Sequence, residues 1–198
     1  MPLDPLPAGQ LAAVVTSLEM RARPRPAPMP ASPLRLVRWT APTNDAYRTL
    51  FRRVGSPWLW FSRLAMAEEE LAAILADPAV ELFAVADPRG IEVGMLELDF
   101  RRPGECEIAF LGLVPDLAGQ GHGHWLMANA LAMGWRAGVE RMWVHTCTLD
   151  HPGALAFYRR SGFTPYALAV ETFADPRIAG LLPRDAAPHV PLIAPDPA

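Results

Sequence analysis

The chain has 198 residues, 51% of them hydrophobic, a formal net charge of −3 and a pI near 5.9. That length and apolar content suit one domain with a sizeable core, and the acidic balance gives no electrostatic reason to expect a nucleic acid or an anionic membrane as partner. The two cysteines, Cys106 and Cys147, sit inside apolar strand-like runs and no window reaches 18 uncharged apolar residues, so the expected setting is reducing, soluble and cytoplasmic.

Proline divides the chain. Of 22 prolines, eight lie in residues 1–34 and six in 175–198. The expected organisation is a Pro-rich flexible segment over 1–33, a compact domain over 34–174 and a Pro-rich tail over 175–198. Within the first segment Leu11 to Met20 reads as a short helix, while 21–33 reads as an extended linker or a ligand for a partner domain. Little apolar area is expected to be lost on deleting residues 1–30. Ile178, Leu181, Leu182, Val190, Leu192 and Ile193 leave the tail two choices, packing on its own domain or on the second subunit of a homodimer.

From Leu34 the pattern is α/β. Leu34 to Trp39 alternates like a half-buried strand, Thr43 or Asn44 caps a helix from Asp45 to Val54, and Glu68-Glu69-Glu70 opens a second helix over Ala67 to Ala76. Between the helices, Trp58, Trp60 and Phe61 either line an acceptor pocket or pack in the core. Strands follow at Val80–Val85 and Ile91–Asp99, joined by a short hairpin turn, and Ile108 to Val114 reads as a buried strand ending at Pro115. A helix over Trp125 to Ala137, apolar on nearly every face, needs cover on both sides. Met142 to Cys147 is a strand, Asp150-His151-Pro152-Gly153 starts a helix that stops at Gly162, and Phe163 to Thr172 is a last strand.

The glycine loop Gly119-Gln120-Gly121-His122-Gly123 lies between a strand and a helix. Backbone N–H groups there have no intrahelical partner and sit at the positive end of the helix dipole, an arrangement that suits a pyrophosphate. The spacing is wrong for the dinucleotide fingerprint, and no Lys-Ser or Lys-Thr follows as a nucleotide-hydrolase loop requires. A plain turn joining strand to helix is the other reading of the glycines.

These elements, the loop after Leu113-Val114-Pro115, and the run Asp150-His151-Pro152-Gly153-Ala154-Leu155-Ala156-Phe157-Tyr158-Arg159-Arg160-Ser161-Gly162-Phe163 together resemble the GNAT superfamily of N-acetyltransferases over roughly residues 34 to 172. The resemblance implies a mixed, mostly antiparallel sheet of six to seven strands flanked by about four helices. It also implies acetyl-CoA as co-substrate and an amine acceptor, with no metal. The pyrophosphate would lie on Ala118, Gly119, Gln120, Gly121, His122, Gly123 and His124, and the pantetheine arm on Leu111, Leu113 and Val114, while His151, Ala154 and Phe157 complete the cofactor site. Ala118 stands where the family has Arg or Gln, and His151 where it often has Asn. Gln120 and the imidazoles of His122 and His124 are then the additional donors at hand.

For the chemistry, the resemblance implies direct attack of the amine on the thioester. Tyr158 matches the family's proton donor to the leaving thiolate, and Glu107, at the start of the central strand, matches a general base; a packed core tyrosine and an exposed carboxylate are the bland alternatives. His145, His151 or a water chain are the other candidate bases. The His122-x-His124 and His145-x-Cys147 spacings do not combine into a metal site, because the pairs belong to different elements. The reading is an acetyl-CoA-dependent N-acetyltransferase acting on a primary amine of a small molecule or peptide; the alternative is a GNAT-fold acyl-CoA-binding or scaffold protein without transfer activity.

Overall fold

The computed structural model describes residues 3–195. In chain order the elements are β1 (Gln10–Met20), β2 (Arg35–Trp39), α1 (Asn44–Gly55), the short α2 (Ser62–Ala65), α3 (Glu68–Ala76), β3 (Val80–Ala86), β4 (Glu92–Asp99), β5 (Glu105–Leu113), α4 (His122–Gly134), β6 (Arg141–Cys147), α5 (Ala154–Arg160) and β7 (Thr164–Ala174). The seven strands form one sheet in the order β2-β3-β4-β5-β6-β1-β7, antiparallel except for the parallel pair β5 and β6. This is the mixed α/β architecture the sequence implied.

Strand alternation feeds two cores. In β3, Phe83 and Val85 face a cluster completed by Trp125, Leu126, Met127 and Ala130 of α4, whereas Leu82 and Ala84 face one built from Tyr47, Leu50, Phe51 and Val54 of α1 and Leu71 of α3. α1 starts at Thr43, whose Oγ1 accepts from Ala46 N at 3.2 Å. Its Tyr47 donates to the fully buried Glu97 of β4 at 2.5 Å, and Arg63 of α2 pairs with the same carboxylate. A buried charge is tolerable only when so compensated, and this contact fixes α1 and α2 on the sheet.

The expected helix at Leu11–Met20 is instead β1. It inserts between β6 and β7, pairing from Val15↔Cys147 to Met20↔Met142 on one side and from Gln10↔Ala174 to Glu19↔Thr164 on the other. Leu, Ala, Glu and Met in this stretch favour a helix, but propensity is a weak prior. Two strands lying one strand-width apart offer hydrogen-bond partners along its whole length, and its Ala13, Leu18 and Met20 are buried there.

The Pro-rich run that follows has no regular secondary structure from residue 23 to 32 and crosses α4, with Ser32 Oγ 3.1 Å from His122 Nδ1 and Asn129 Nδ2 3.6 Å from Met29 Sδ. It thus supplies part of the second cover that the apolar α4 required. The C-terminal tail packs on its own domain. Arg177 is buried with Asp175 and donates to the carbonyls of Ala186, Val190 and Pro191, while Leu182 and Ala187 join the α1 core. Gly9 N donates to Ile193 O at 2.8 Å, tying the tail to the entry of β1. Among the described residues no helix is long and apolar enough to cross a membrane.

Burial of side chains such as Leu18 and Met20 contributes about 1.5–3 kcal/mol each, against a total stability on the order of 5–15 kcal/mol for a domain. Deleting residues 1–20 should therefore abolish cooperative unfolding, and Leu18→Ala should cost about 2–5 kcal/mol in urea denaturation. A truncated chain melting at the wild-type temperature would show that β1 is dispensable, as the proline content alone suggested.

Candidate active site

The site begins where two strands part. β5 and β6 are paired only at Glu105↔Arg141, Cys106↔Met142 and Glu107↔Trp143. Beyond these positions each follows its other neighbour, β5 staying on β4 as far as Gly94↔Leu113 and β6 staying on β1 as far as Val15↔Cys147. A cavity of about 560 Å³ opens in the gap, bordered by Ile108 to Pro115 on one side and by Val144, His145 and Cys147 on the other. Val114 donates its N–H to Val93 O at 2.9 Å, so strand alternation turns the N–H groups of Leu111 and Leu113 toward the gap. Gly112 is required by close approach: a Cβ there would lie 2.7 Å from Val54 Cγ1 and 2.9 Å from the Trp60 ring.

The glycine loop closes one end. Gly121, the residue before α4, is left-handed at φ 83°, and the N–H groups of residues 119–123 find no acceptor among the described residues. A Cβ on Gly121 would meet nothing within 4 Å. Free amides, open space and a helix N-terminus facing one cavity fit a pyrophosphate without any side chain at Ala118. Ala118, Gly119, Gly121, Gly123 and His124 border the cavity, as do Leu111, Leu113, Val114, His151, Ala154 and Phe157.

Three expected site residues do not border it. Gln120 turns away and donates its side-chain amide to Asp116 O at 2.7 Å, and His122 is held by Ser32. Neither side chain points its donor into the cavity as an additional partner for phosphate would. Glu107 also stands off the cavity wall, 3.4 Å from Nδ1 of His145, which does reach it. The Glu107 carboxylate raises the His145 pKa, against the lowering effect of burial.

Tyr158 lies in the first turns of α5, 8% exposed, with its ring edge-on to Phe163 at 6.2 Å. It borders the cavity, and its hydroxyl makes no hydrogen bond among the described residues. Burial, helped by the negative charge of Asp150, pushes its pKa well above that of an ordinary tyrosine. Burial likewise raises the Cys147 thiol.

Sequence reasoning missed what anchors the far wall. Asp150 read as the start of a helix; it is instead a junction, accepting from Thr146 Oγ1 at 2.6 Å, Cys147 N at 2.9 Å and Trp60 Nε1 at 3.1 Å. Trp58, Trp60 and Phe61 line the cavity, and Trp60 also packs against Phe51 at 5.5 Å and Phe110 at 5.2 Å. Val15 of β1 and Glu171 and Phe173 of β7 complete the wall, and no local signal marks them because β1 brings β7 there. Among the described residues no group of three or more His, Cys, Asp or Glu is arranged to hold a metal.

No curated protein matches the chain. Among solved structures, it is similar to a GCN5-related N-acetyltransferase from Sphaerobacter thermophilus, with 16% identity and a TM-score of 0.55 over 81% of this chain and 51% of that one. A GCN5-related N-acetyltransferase from Kribbella flavida has 16% identity and a TM-score of 0.54 over 87% and 63%. A mutant of the spermidine N-acetyltransferase from Vibrio cholerae has 16% identity and a TM-score of 0.52 over 74% and 96%. The chain thus spans about half of the Sphaerobacter protein and less than two thirds of the Kribbella one. These likenesses concern the fold; the sequence itself matches the Acetyltransferase (GNAT) family over residues 39–163, the stretch that carries the parted strands, the glycine loop and Tyr158, and the chain belongs to that family.

Proposed function

We propose that this chain is an acetyl-CoA-dependent N-acyltransferase that moves an acetyl group to a primary amine by direct attack. The observation that carries this reading is that the free amides of the glycine loop, the gap between β5 and β6 and the Tyr158 hydroxyl all border one cavity. When bound, acetyl-CoA supplies an activated acyl thioester. The loop amides of Gly119 to Gly123 hold its pyrophosphate, and the N–H groups of Leu111 and Leu113 face its pantetheine arm and the carbonyl oxygen on which charge develops. Tyr158, protonated at neutral pH as an ordinary tyrosine is and more firmly so by burial, gives its proton to the departing thiolate.

The amine's proton needs an acceptor on the opposite side. His145 reaches the cavity and Glu107 stands behind it, so the base is the pair: Glu107 holds Nδ1–H, and Nε2 takes the proton. The raised thiol pKa of Cys147 argues against an acyl-cysteine intermediate, since the thiolate is the nucleophilic form.

Three measurements test this. Gly121→Val puts a branched side chain into the open space beside the loop at a left-handed φ, so acetyl-CoA binding by calorimetry should be lost while circular dichroism stays native. Retained affinity would move the cofactor elsewhere. Tyr158→Phe keeps the ring and removes only the hydroxyl; turnover should fall by about 10² to 10⁴ with acetyl-CoA affinity unchanged. A fully active variant would remove the acid assignment.

The third measurement is a pH profile. His145 must be neutral to accept a proton, and its folded pKa is raised, so the acidic limb of kcat/KM should sit above the ordinary histidine value near 6.5. Glu107→Gln removes the main cause of that shift and should move the limb to lower pH while reducing the rate. An unmoved limb in Glu107→Gln would sever the two residues, and a wild-type profile in His145→Gln would take the pair out of the mechanism.

A further inference from the structure

Beyond the gap between β5 and β6, the cavity continues across β1 to the edge strand β7, where Val15, Glu171 and Phe173 form its far wall. Phe61 stacks on Phe173 at 4.6 Å, and Trp60 is tilted against Phe110 at 5.2 Å. Aromatic contacts therefore occur at both ends, at Phe110 in β5 beside the gap and at Phe173 in β7 at the sheet edge.

Two carboxylates border this space, and they differ in commitment. Both oxygens of Asp150 are taken by Trp60, Thr146 and Cys147. Glu171 makes no hydrogen bond or ion pair among the described residues, yet lies close enough for its charge to help raise the His145 pKa. Glu171 stands opposite Ala13 of β1, and Val15, two residues on, stands opposite Cys147 of β6. With neighbouring strands about 4.8 Å apart, β7 is roughly 10 Å from β6.

Resting on the acyl-transfer reading above, we propose that the acceptor is a primary amine carried on one flat, apolar body whose far end bears a hydrogen-bond donor. The amine lies at the gap beside His145, the body lies along the aromatic wall, and the donor meets Glu171. Aromatic walls favour a ring at offset or edge contact distance. A single uncommitted carboxylate answers a single donor. A polyamine would bring more than one further cation to a single uncommitted carboxylate, and the amides of a peptide would lose their hydrogen bonds on the same wall.

Four probes separate these acceptors: tyramine, with an ammonium at one end and a phenol hydroxyl at the other; phenethylamine, the same body without the donor; spermidine; and a lysine-containing tetrapeptide. Coenzyme A release gives kcat/KM for each, and quenching of tryptophan fluorescence by tyramine reads binding without acetyl-CoA. Tyramine should exceed phenethylamine by roughly threefold to tenfold in kcat/KM, because a hydrogen bond to the exposed, charged Glu171 carboxylate is lost in the analogue. Glu171→Gln should collapse that ratio toward one and weaken tyramine binding by a similar factor. Preference for spermidine or the peptide would overturn the proposal while leaving acyl transfer standing, and a ratio unchanged by Glu171→Gln would overturn the role of Glu171. If no amine accelerates coenzyme A release, the acyl-transfer reading falls, and the fluorescence arm still decides: Glu171-dependent tyramine binding supports the pocket's chemistry, and its absence overturns it.

Discussion

The cavity of this protein depends on β5 and β6 ceasing to pair after three positions. Unpaired backbone inside a sheet is costly, so two strands part only when each keeps a neighbour on its far side. β4 holds β5 and β1 holds β6. The gap is therefore paid for by the outer strands, and it leaves alternate amides of β5 turned toward the cavity. A bulge between Glu97 and Leu98 lies in the β4–β5 pairing, next to where the gap opens. Across it, Ile108 stays with the α4 core while Phe110 turns to the α1 side.

The cavity is held open by two polar junctions, each built on one carboxylate. Glu97, shared between Tyr47 and Arg63, fixes α1 and α2, and with them the turn that carries Trp58 to Phe61. Arg63 also stands over the Phe110 ring at 5.2 Å, linking that helix directly to the strand beside the gap. Asp150 ties the other rim, joining the end of β6 to Trp60 across the opening. The two rims of the cavity are thus braced by two separate carboxylates.

Electrostatics divides the work within the site. Tyr158 and Cys147 are driven by burial toward their protonated forms, whereas Glu107 favours the protonated form of His145 by charge. All three shifts favour the protonated form, which keeps Tyr158 a proton donor and makes His145 a stronger base once it is neutral. The glycine loop adds no side-chain charge, so its contribution comes from backbone dipoles alone, which Ala118 leaves intact.

Local chemistry in the sequence determined a good deal of this. Two-residue alternation located β2, a short turn the hairpin of β3 and β4 and an apolar run most of β5, Thr43 and the acidic run at Glu68 marked helix starts, and the glycine spacing before an apolar helix marked the loop that borders the cavity, because caps, turns and strand faces are set by residues a few positions apart. That Tyr158, Leu111 and Leu113 come together beside one cavity was legible through the resemblance of motifs at a fixed separation. Only the tertiary structure could decide that Leu11 to Met20 is a strand, since a helix-prone sequence becomes one when two long edges wait on either side of it. The same insertion carries β7 to the cavity and so decides the places of Glu171 and Phe173. Long-range contact, through Ser32 and His145, also set the side chains of His122 and Glu107, whereas Gln120 turns to Asp116 only four residues back; side chains whose partners lie far along the chain are placed by packing, which no local pattern encodes.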